Sequence, residues 1–213
     1  KYYMYVSCDG ENMFEFMHVL SSDKPLGPFG DAKRLYNRFS IDSHAVVTDG
    51  GLFLWYSEDN RDTDRIGTRI YVDRMLDAYT PANECVEMIV PTFDEEIFQR
   101  NRYGDGREGH WQYVMYSGAC YENDTYHIGY AAAKTDESDL TKLHLVKHTK
   151  DGRFDPVMIK NDFEEGCGHH SVLKYKGEYY AVYHARDYRN ENDANYVERR
   201  KAEERPRPIA MDT

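Results

Sequence analysis

The chain is short of positive charge, sparing with cysteine and without any long apolar run. Its 27 Lys and Arg stand against 38 Asp and Glu, a formal net charge of −11. A phosphate backbone needs a basic surface, so this balance argues against nucleic acid as a partner. The one basic cluster, Arg199, Arg200 and Lys201, runs into Glu203 and Glu204 and reads as a solvated loop. No apolar stretch approaches the roughly 20 residues of a membrane-spanning helix, which argues against a membrane partner. Cys8, Cys85, Cys120 and Cys167 are scattered and form no CxxC pair. That spacing argues against a structural zinc site, and leaves open free thiols or up to two disulfides. No signal peptide is visible, and secreted, periplasmic and cytoplasmic locations all stay open. No strong long-helix periodicity runs through the chain.

Aromatic residues are plentiful instead. They make up 14% of the chain, with 19 Tyr, which is too aromatic for a disordered polymer. Tyrosine suits half-buried strands and also the walls of a sugar site. Counting does not separate the two uses, and the strand is the default. Four aromatic segments read as copies of one unit: Tyr2–Ser7 (YYMYVS), Leu52–Ser57 (LFLWYS), Trp111–Ser117 (WQYVMYS) and Glu178–His184 (EYYAVYH). Val6, Tyr56, Tyr116 and Tyr183 line up, at spacings of 50, 60 and 67. Repeated β segments at such periods point to propeller blades.

Between these segments the pattern is of hairpins. Residues 1–9 and 14–20 read as paired strands, followed by a Pro/Gly-rich turn. IDSHAVVTDGGLFLWYS, from Ile41, is strand, Asp-Gly-Gly turn, strand. Residues 68–75 give a third strand, and Glu84–Pro91 an edge strand. The stretch DEEIFQRNRYGDGREG reads mainly as loop. WQYVMYSGACY pairs with residues 126–134, LHLVKH reads as an edge strand, and GCGHHSVLKYKGEYYAVYHARD repeats strand, Lys-Gly turn, strand. PIAMDT at the end opens one more strand.

Asp42 lies 14 residues before Tyr56, and His169 lies 14 before Tyr183. Each therefore falls near the start of its blade's first strand. Such innermost strands surround a propeller's central channel, where residues distant in sequence converge. A carboxylate and a histidine there fit a polar small-molecule site. Adjacent strand residues point to opposite faces, so His169 and His170 are not expected to line the same site, and His170 takes the structural role.

KPLGPF (Lys24–Phe29), IDSHAVVTDGGLFLWYS, MYSGACYENDTYHIGYA (Met115–Ala131) and GCGHHSVLKYKGEYYAVYHARD (Gly166–Asp187) together resemble glycoside hydrolase family 43. The resemblance runs over most of residues 1–187. It implies an all-β fold of the five-bladed β-propeller family. The chain would be a single propeller domain over residues 1–213, opening in the second blade and covering roughly blades two to five. It further implies cleavage of arabinose- or xylose-containing glycans with inversion. That chemistry uses two carboxyls about 6.5–9.5 Å apart, one activating water and one protonating the leaving oxygen. A third carboxylate orients the acid and raises its pKa. Asp42 in IDSH matches that tuning aspartate. His169 matches the fifth-blade histidine that in many relatives faces a cation, often calcium, through water, so calcium is an implied partner. Structural readings stand beside both: a turn-holding aspartate and a satisfied histidine. Arg205, four residues before Ile209, resembles a substrate-contacting arginine near the last strand, with a plain surface arginine as its other reading.

Two parts of the pattern are missing. The general base belongs to the first blade, and no aspartate here matches it. Asp9, beside Gly10, stands at a turn. The acid belongs to a Glu-Gly motif, which Glu108-Gly109 matches in letters. But Glu108 is only 8 residues before Tyr116, and aligns with the turns Asp49-Gly50 and Lys176-Gly177. Position 102, where the ruler points, holds Arg102. Either this blade has a shortened first strand that brings Glu108 inward, or the segment carrying the acid is absent from the sequence; the ruler favours absence. Glu95 and Glu96 are weaker acid candidates and read as solvent-exposed. The leading reading is an inverting glycosidase acting on α-L-arabinofuranosides or β-D-xylosides, with an oligo- or polysaccharide as partner and no organic cofactor. The alternative is a carbohydrate-binding propeller without base or acid. A propeller acting on fructosides is a weaker third, since its aspartate nucleophile motif is not found.

Overall fold

The computed structural model describes residues 1–9, 14–60, 65, 67–96, 103–108 and 111–187, with backbone alone for 9, 103–108 and 187. They fall into two compact units. One holds Lys1–Val90 and Asp136–His144; the other holds the described residues of Pro91–Thr135 and Leu145–Thr213.

The first unit carries two antiparallel sheets. In one, β1 (Tyr2–Asp9) pairs β2 (Glu15–Ser22), and β2 pairs β3 (Gly30–Arg34). In the other, β4 (Ile41–Thr48), β5 (Gly51–Asn60), β6 (Gly67–Asp77) and β7 (Thr80–Pro81) follow in order, with β8 (Val86–Ile89) also on β6. β5 lies between two strands, and Phe53, Leu54, Trp55, Tyr56 and Ser57 are all buried. A strand covered on both faces reads as such an unbroken run rather than an alternation. Met17 and Val19 of β2 pack with Leu35, Tyr36, Leu54, Tyr56 and Met75 into one core. The rings of Tyr36 and Tyr56 stack 4.8 Å apart.

Residues 136–144 are tied into this unit by charge. Arg74 Nη2 lies 2.8 Å from Asp139 Oδ2, while its Nη1 donates to the Gly50 carbonyl. Asp139 also caps the short helical turn Leu140–Lys142. The Thr141 hydroxyl, its backbone N–H, Lys142 and Arg74 hold the Asp139 carboxyl down at about 2.

The second unit has a four-stranded sheet: β9 (Tyr103–Glu108), β10 (Trp111–Gly118), β11 (His127–Lys134) and β12 (Val146–Lys147), in the order β12-β11-β10-β9. Two hairpins follow, β13 (Thr149–Lys150) with β14 (Arg153–Phe154), and β15 (Glu164–Tyr175) with β16 (Glu178–Asp187). Lys176 and Gly177 both have positive φ, 51° and 91°. Two such residues make the turn whose twist matches the flanking strands.

The hairpins expected from the sequence are present. Several strands go beyond that reading, among them the two-residue β7, β13 and β14. Residues 103–108 look like a Gly-rich charged loop, yet they pair with β10 from Tyr103↔Tyr116 to Glu108↔Trp111. Gly30–Arg34 adds a third strand to the first sheet through β2. In both, pairing with a partner strand overrides weak local β preference. All four cysteines are free thiols, which resolves the disulfide alternative. Among the described residues no helix is long and apolar enough to cross a membrane. PIAMDT lies outside the described residues.

Candidate active site

Asp42 is the second residue of β4 and sits in a bulge. Ile41 pairs with Ser57 and His44 with Trp55, so Asp42 and Ser43 together oppose Tyr56. Asp42 has φ of 55°. That left-handed conformation costs a typical L-residue about 1–2 kcal/mol, and Asp and His are among the types enriched there. The bulge takes the Asp42 N–H to the Ser7 hydroxyl, which accepts it at 3.1 Å. The residue is half-buried.

The second unit contains the same arrangement. Gly168 pairs with His184 and Ser171 with Val182, so His169 and His170 oppose Tyr183. His169 has φ of 49°, and its N–H donates to Ser117 Oγ at 2.8 Å. His169 is exposed and His170 is buried, so adjacent histidines do face opposite ways. Gly168 lets the Tyr126 ring lie against the backbone, since an added Cβ would stand 2.0 Å from a ring carbon. Gly168→Ala is therefore expected to destabilise by about 1–3 kcal/mol through overpacking. Calorimetry should show a lower melting temperature, and an unchanged one would mean that the ring moves aside freely.

The other sequence candidates fare differently. Glu108 is the last residue of β9, opposite Trp111 at the hairpin end. In β4 the corresponding place belongs to Thr48, opposite Gly51, not to Asp42. Its side chain, like Arg205 and Arg102, lies outside the described residues. So does the side chain of Asp9, whose backbone is the last residue of β1 rather than beyond it. Glu95 is exposed, as expected. Glu96 is not: it is 3% exposed, and that corrects its reading as a solvent-facing charge. Its carboxylate accepts from Lys147 Nζ at 2.6 Å, Tyr116 Oη at 2.6 Å, and the backbone N–H groups of Thr92 and Phe93 at 2.8 and 3.0 Å. Burial works to raise its pKa, but Lys147 and these hydrogen bonds outweigh burial and hold it below the usual range. A carboxyl kept ionised in this way does not serve as a general acid.

The aligned tyrosines are structural. Tyr56 is fully buried and accepts from Arg38; Tyr116 is buried on Glu96; Tyr183 donates to Glu164. The second unit also has a cleft of about 450 Å³ with Asp94, Glu95, Cys120, Asp124, His127 and Lys160 in its walls, which sequence spacing did not reveal. Lys160 and Asp124 pair across 2.6 Å there. Neither Asp42 nor His169 lines it. The loop beside it is clamped by Arg186, whose guanidinium donates to the carbonyls of Tyr121 and Asn123 and to Glu165.

His127 lies 4.6 Å, ring to ring, from Phe154, and its Nδ1 donates to the Thr125 carbonyl. Burial pushes its pKa down. The unfolded chain therefore takes up a proton near pH 6.5 that the folded chain resists. The contribution is full above that pH and is lost as pH falls through the lower folded value. The urea midpoint is expected to decline below about pH 6.5, and His127→Asn to flatten that decline. A wild-type midpoint constant down to pH 5 would contradict the assignment.

Among the described residues no group of three or more His, Cys, Asp or Glu side chains is arranged to hold a metal ion.

The described residues are nearly all strands in antiparallel sheets, and Asp42 and His169 each stand in a bulge of such a strand. Residues 1–203 match the family described as Glycosyl hydrolases family 43. The chain belongs to that family. Solved structures agree. A thermostable family-43 glycoside hydrolase is 28% identical with a TM-score of 0.71, over 86% of this chain and 61% of that one. An endo-1,4-beta-xylanase from Bacteroides thetaiotaomicron is 23% identical with a TM-score of 0.65, over 85% and 64%. An alpha-L-arabinofuranosidase from Lactobacillus brevis is 21% identical with a TM-score of 0.71, over 91% and 65%. The last two speak to fold alone. The chain thus spans less than two thirds of the length of these relatives. None of the curated proteins matches it.

Proposed function

We propose that the protein is a glycoside hydrolase acting with inversion on α-L-arabinofuranosides or β-D-xylosides of plant-type glycans. Family membership over residues 1–203 carries the reading. The sugar class is the one that the arabinofuranosidase and xylanase named above carry in their names, although their likeness to this chain is one of fold. The half-buried Asp42 in the β4 bulge supplies a carboxylate of the right type. In the reaction, a water oxygen bonds to the anomeric carbon as the glycosidic carbon–oxygen bond breaks. A base takes the water's proton, and an acid gives one to the leaving oxygen. Neither base nor acid is assigned to a residue of this chain. Asp42 acts on the acid: its negative charge raises the acid's pKa, and its oxygens fix the acid's direction. No step is assigned to a metal.

Hydrolysis of 4-nitrophenyl α-L-arabinofuranoside and β-D-xyloside, with the first-formed anomer followed by proton NMR, checks the reading. Release of the inverted sugar is expected. A retained anomer would refute the mechanism. Sugar binding by calorimetry without turnover would favour the carbohydrate-binding alternative, which the unmatched base and acid keep in view.

A further inference from the structure

We infer that Ser7 is a positioning residue for Asp42, one copy of a device that Ser117 and His169 repeat. The inference deepens the reading of Asp42 just given and rests on it. Four observations coincide in each copy. The donor residue is the first of the two bulged residues, has φ near 50°, and is a type tolerant of that backbone. Its N–H has left the ladder and meets a serine hydroxyl, at 3.1 Å in one case and 2.8 Å in the other. The serine ends an aromatic segment within a strand of an earlier sheet: Ser7 closes YYMYVS and Ser117 closes WQYVMYS. The residue so held is the one that the 14-residue ruler marks in each repeat. Ser57, which ends LFLWYS, keeps the same strand position and is fully buried.

The chemistry explains why a hydroxyl serves. A left-handed residue in a bulge has lost its ladder partner, and its N–H needs an acceptor. Met17 already pairs opposite Ser7 through the β1–β2 ladder, so the serine backbone is fixed and its hydroxyl is presented from a rigid strand. Holding the amide fixes φ, and φ sets the direction in which the Asp42 carboxylate leaves the backbone. Ser7 itself touches no reacting atom; it acts through Asp42.

The experiment compares wild type, Ser7→Ala and Ser7→Thr. Amide hydrogen exchange is read at Asp42 by NMR, and kcat, KM and the pH–rate profile on 4-nitrophenyl pentosides. Ser7→Ala is expected to speed Asp42 exchange at least tenfold. It should lower kcat about tenfold with KM little changed, and move the basic limb of the profile to lower pH. The melting temperature should stay near wild type, because Ser7 is exposed. Ser7→Thr, which keeps the hydroxyl, should restore all three. Ser117→Ala should speed exchange at His169 in the same way. Unchanged exchange at Asp42 overturns the inference. So does an active Ser7→Ala protein with wild-type kcat and profile. Absence of turnover in wild type sinks the proposed function instead, and amide exchange then still decides whether Ser7 holds Asp42.

Discussion

Asp42→Asn is expected to cut kcat by a hundredfold or more while leaving the fold as it was. Asparagine keeps the shape of the side chain and tolerates φ of 55° as well as aspartate does. Its N–H still reaches Ser7 Oγ. What disappears is the negative charge. Without it a neighbouring acid loses the field that keeps it protonated, and proton delivery to a leaving group is worth about 10²–10⁴ in rate. The loss should be greatest on the alkaline side of the optimum, where the acid has already begun to ionise. KM should change little, because the charge acts on the transition state rather than on ground-state binding. Circular dichroism and the melting point serve as the folding control. Full turnover in a folded Asp42→Asn protein would remove Asp42 from the mechanism.

The second large effect concerns stability. Glu96→Ala is expected to cost about 3–5 kcal/mol, because it strands the partly buried Lys147 ammonium without its counter-charge. It also removes the acceptor for the Tyr116 hydroxyl and for two backbone N–H groups. Glu96→Gln should cost less, since the amide oxygen keeps some of those bonds. Pairing Glu96→Ala with Lys147→Met should recover part of the loss, as no charge is then left unpaired. Urea unfolding of the four proteins gives the coupling directly. Additive losses would show that the two groups do not depend on each other.

The same carboxylate sets a pH dependence. Its folded pKa lies below the unfolded 4.5. Its contribution is therefore complete above pH 4.5 and is lost as pH falls through the folded value. Glu96→Gln should remove that acid-side loss, leaving the decline that His127 causes at higher pH.

Much of this architecture was legible in the sequence. The hairpins announce themselves through Asp49-Gly50 and Lys176-Gly177, and the equal spacing of Asp42 and His169 marks equivalent places. The bulges were not legible, because no residue type announces a two-for-one ladder shift. Ser7 and Ser117 were visible only as the ends of aromatic runs; their partners lie 35 and 52 residues away. Glu96 was misread for a similar reason. Asp94, Glu95 and Glu96 look alike in a charged stretch, and the cation that draws one of them inside is 51 residues further on. Residues 103–108 read as loop because glycine and charge have weak strand preference, whereas the β10 edge supplies the pairing that they lack.

Arg186 has a use for anyone who wishes to alter the protein. It grips the loop beside the cleft by the carbonyl oxygens of Tyr121 and Asn123, atoms that every residue type possesses. The clamp is thus indifferent to which side chain occupies position 122. A randomised library at that position would sample new chemistry at the cleft's rim on a backbone that stays put. Diversifying position 186 instead would unfasten the rim and blur whatever selectivity the library was meant to find.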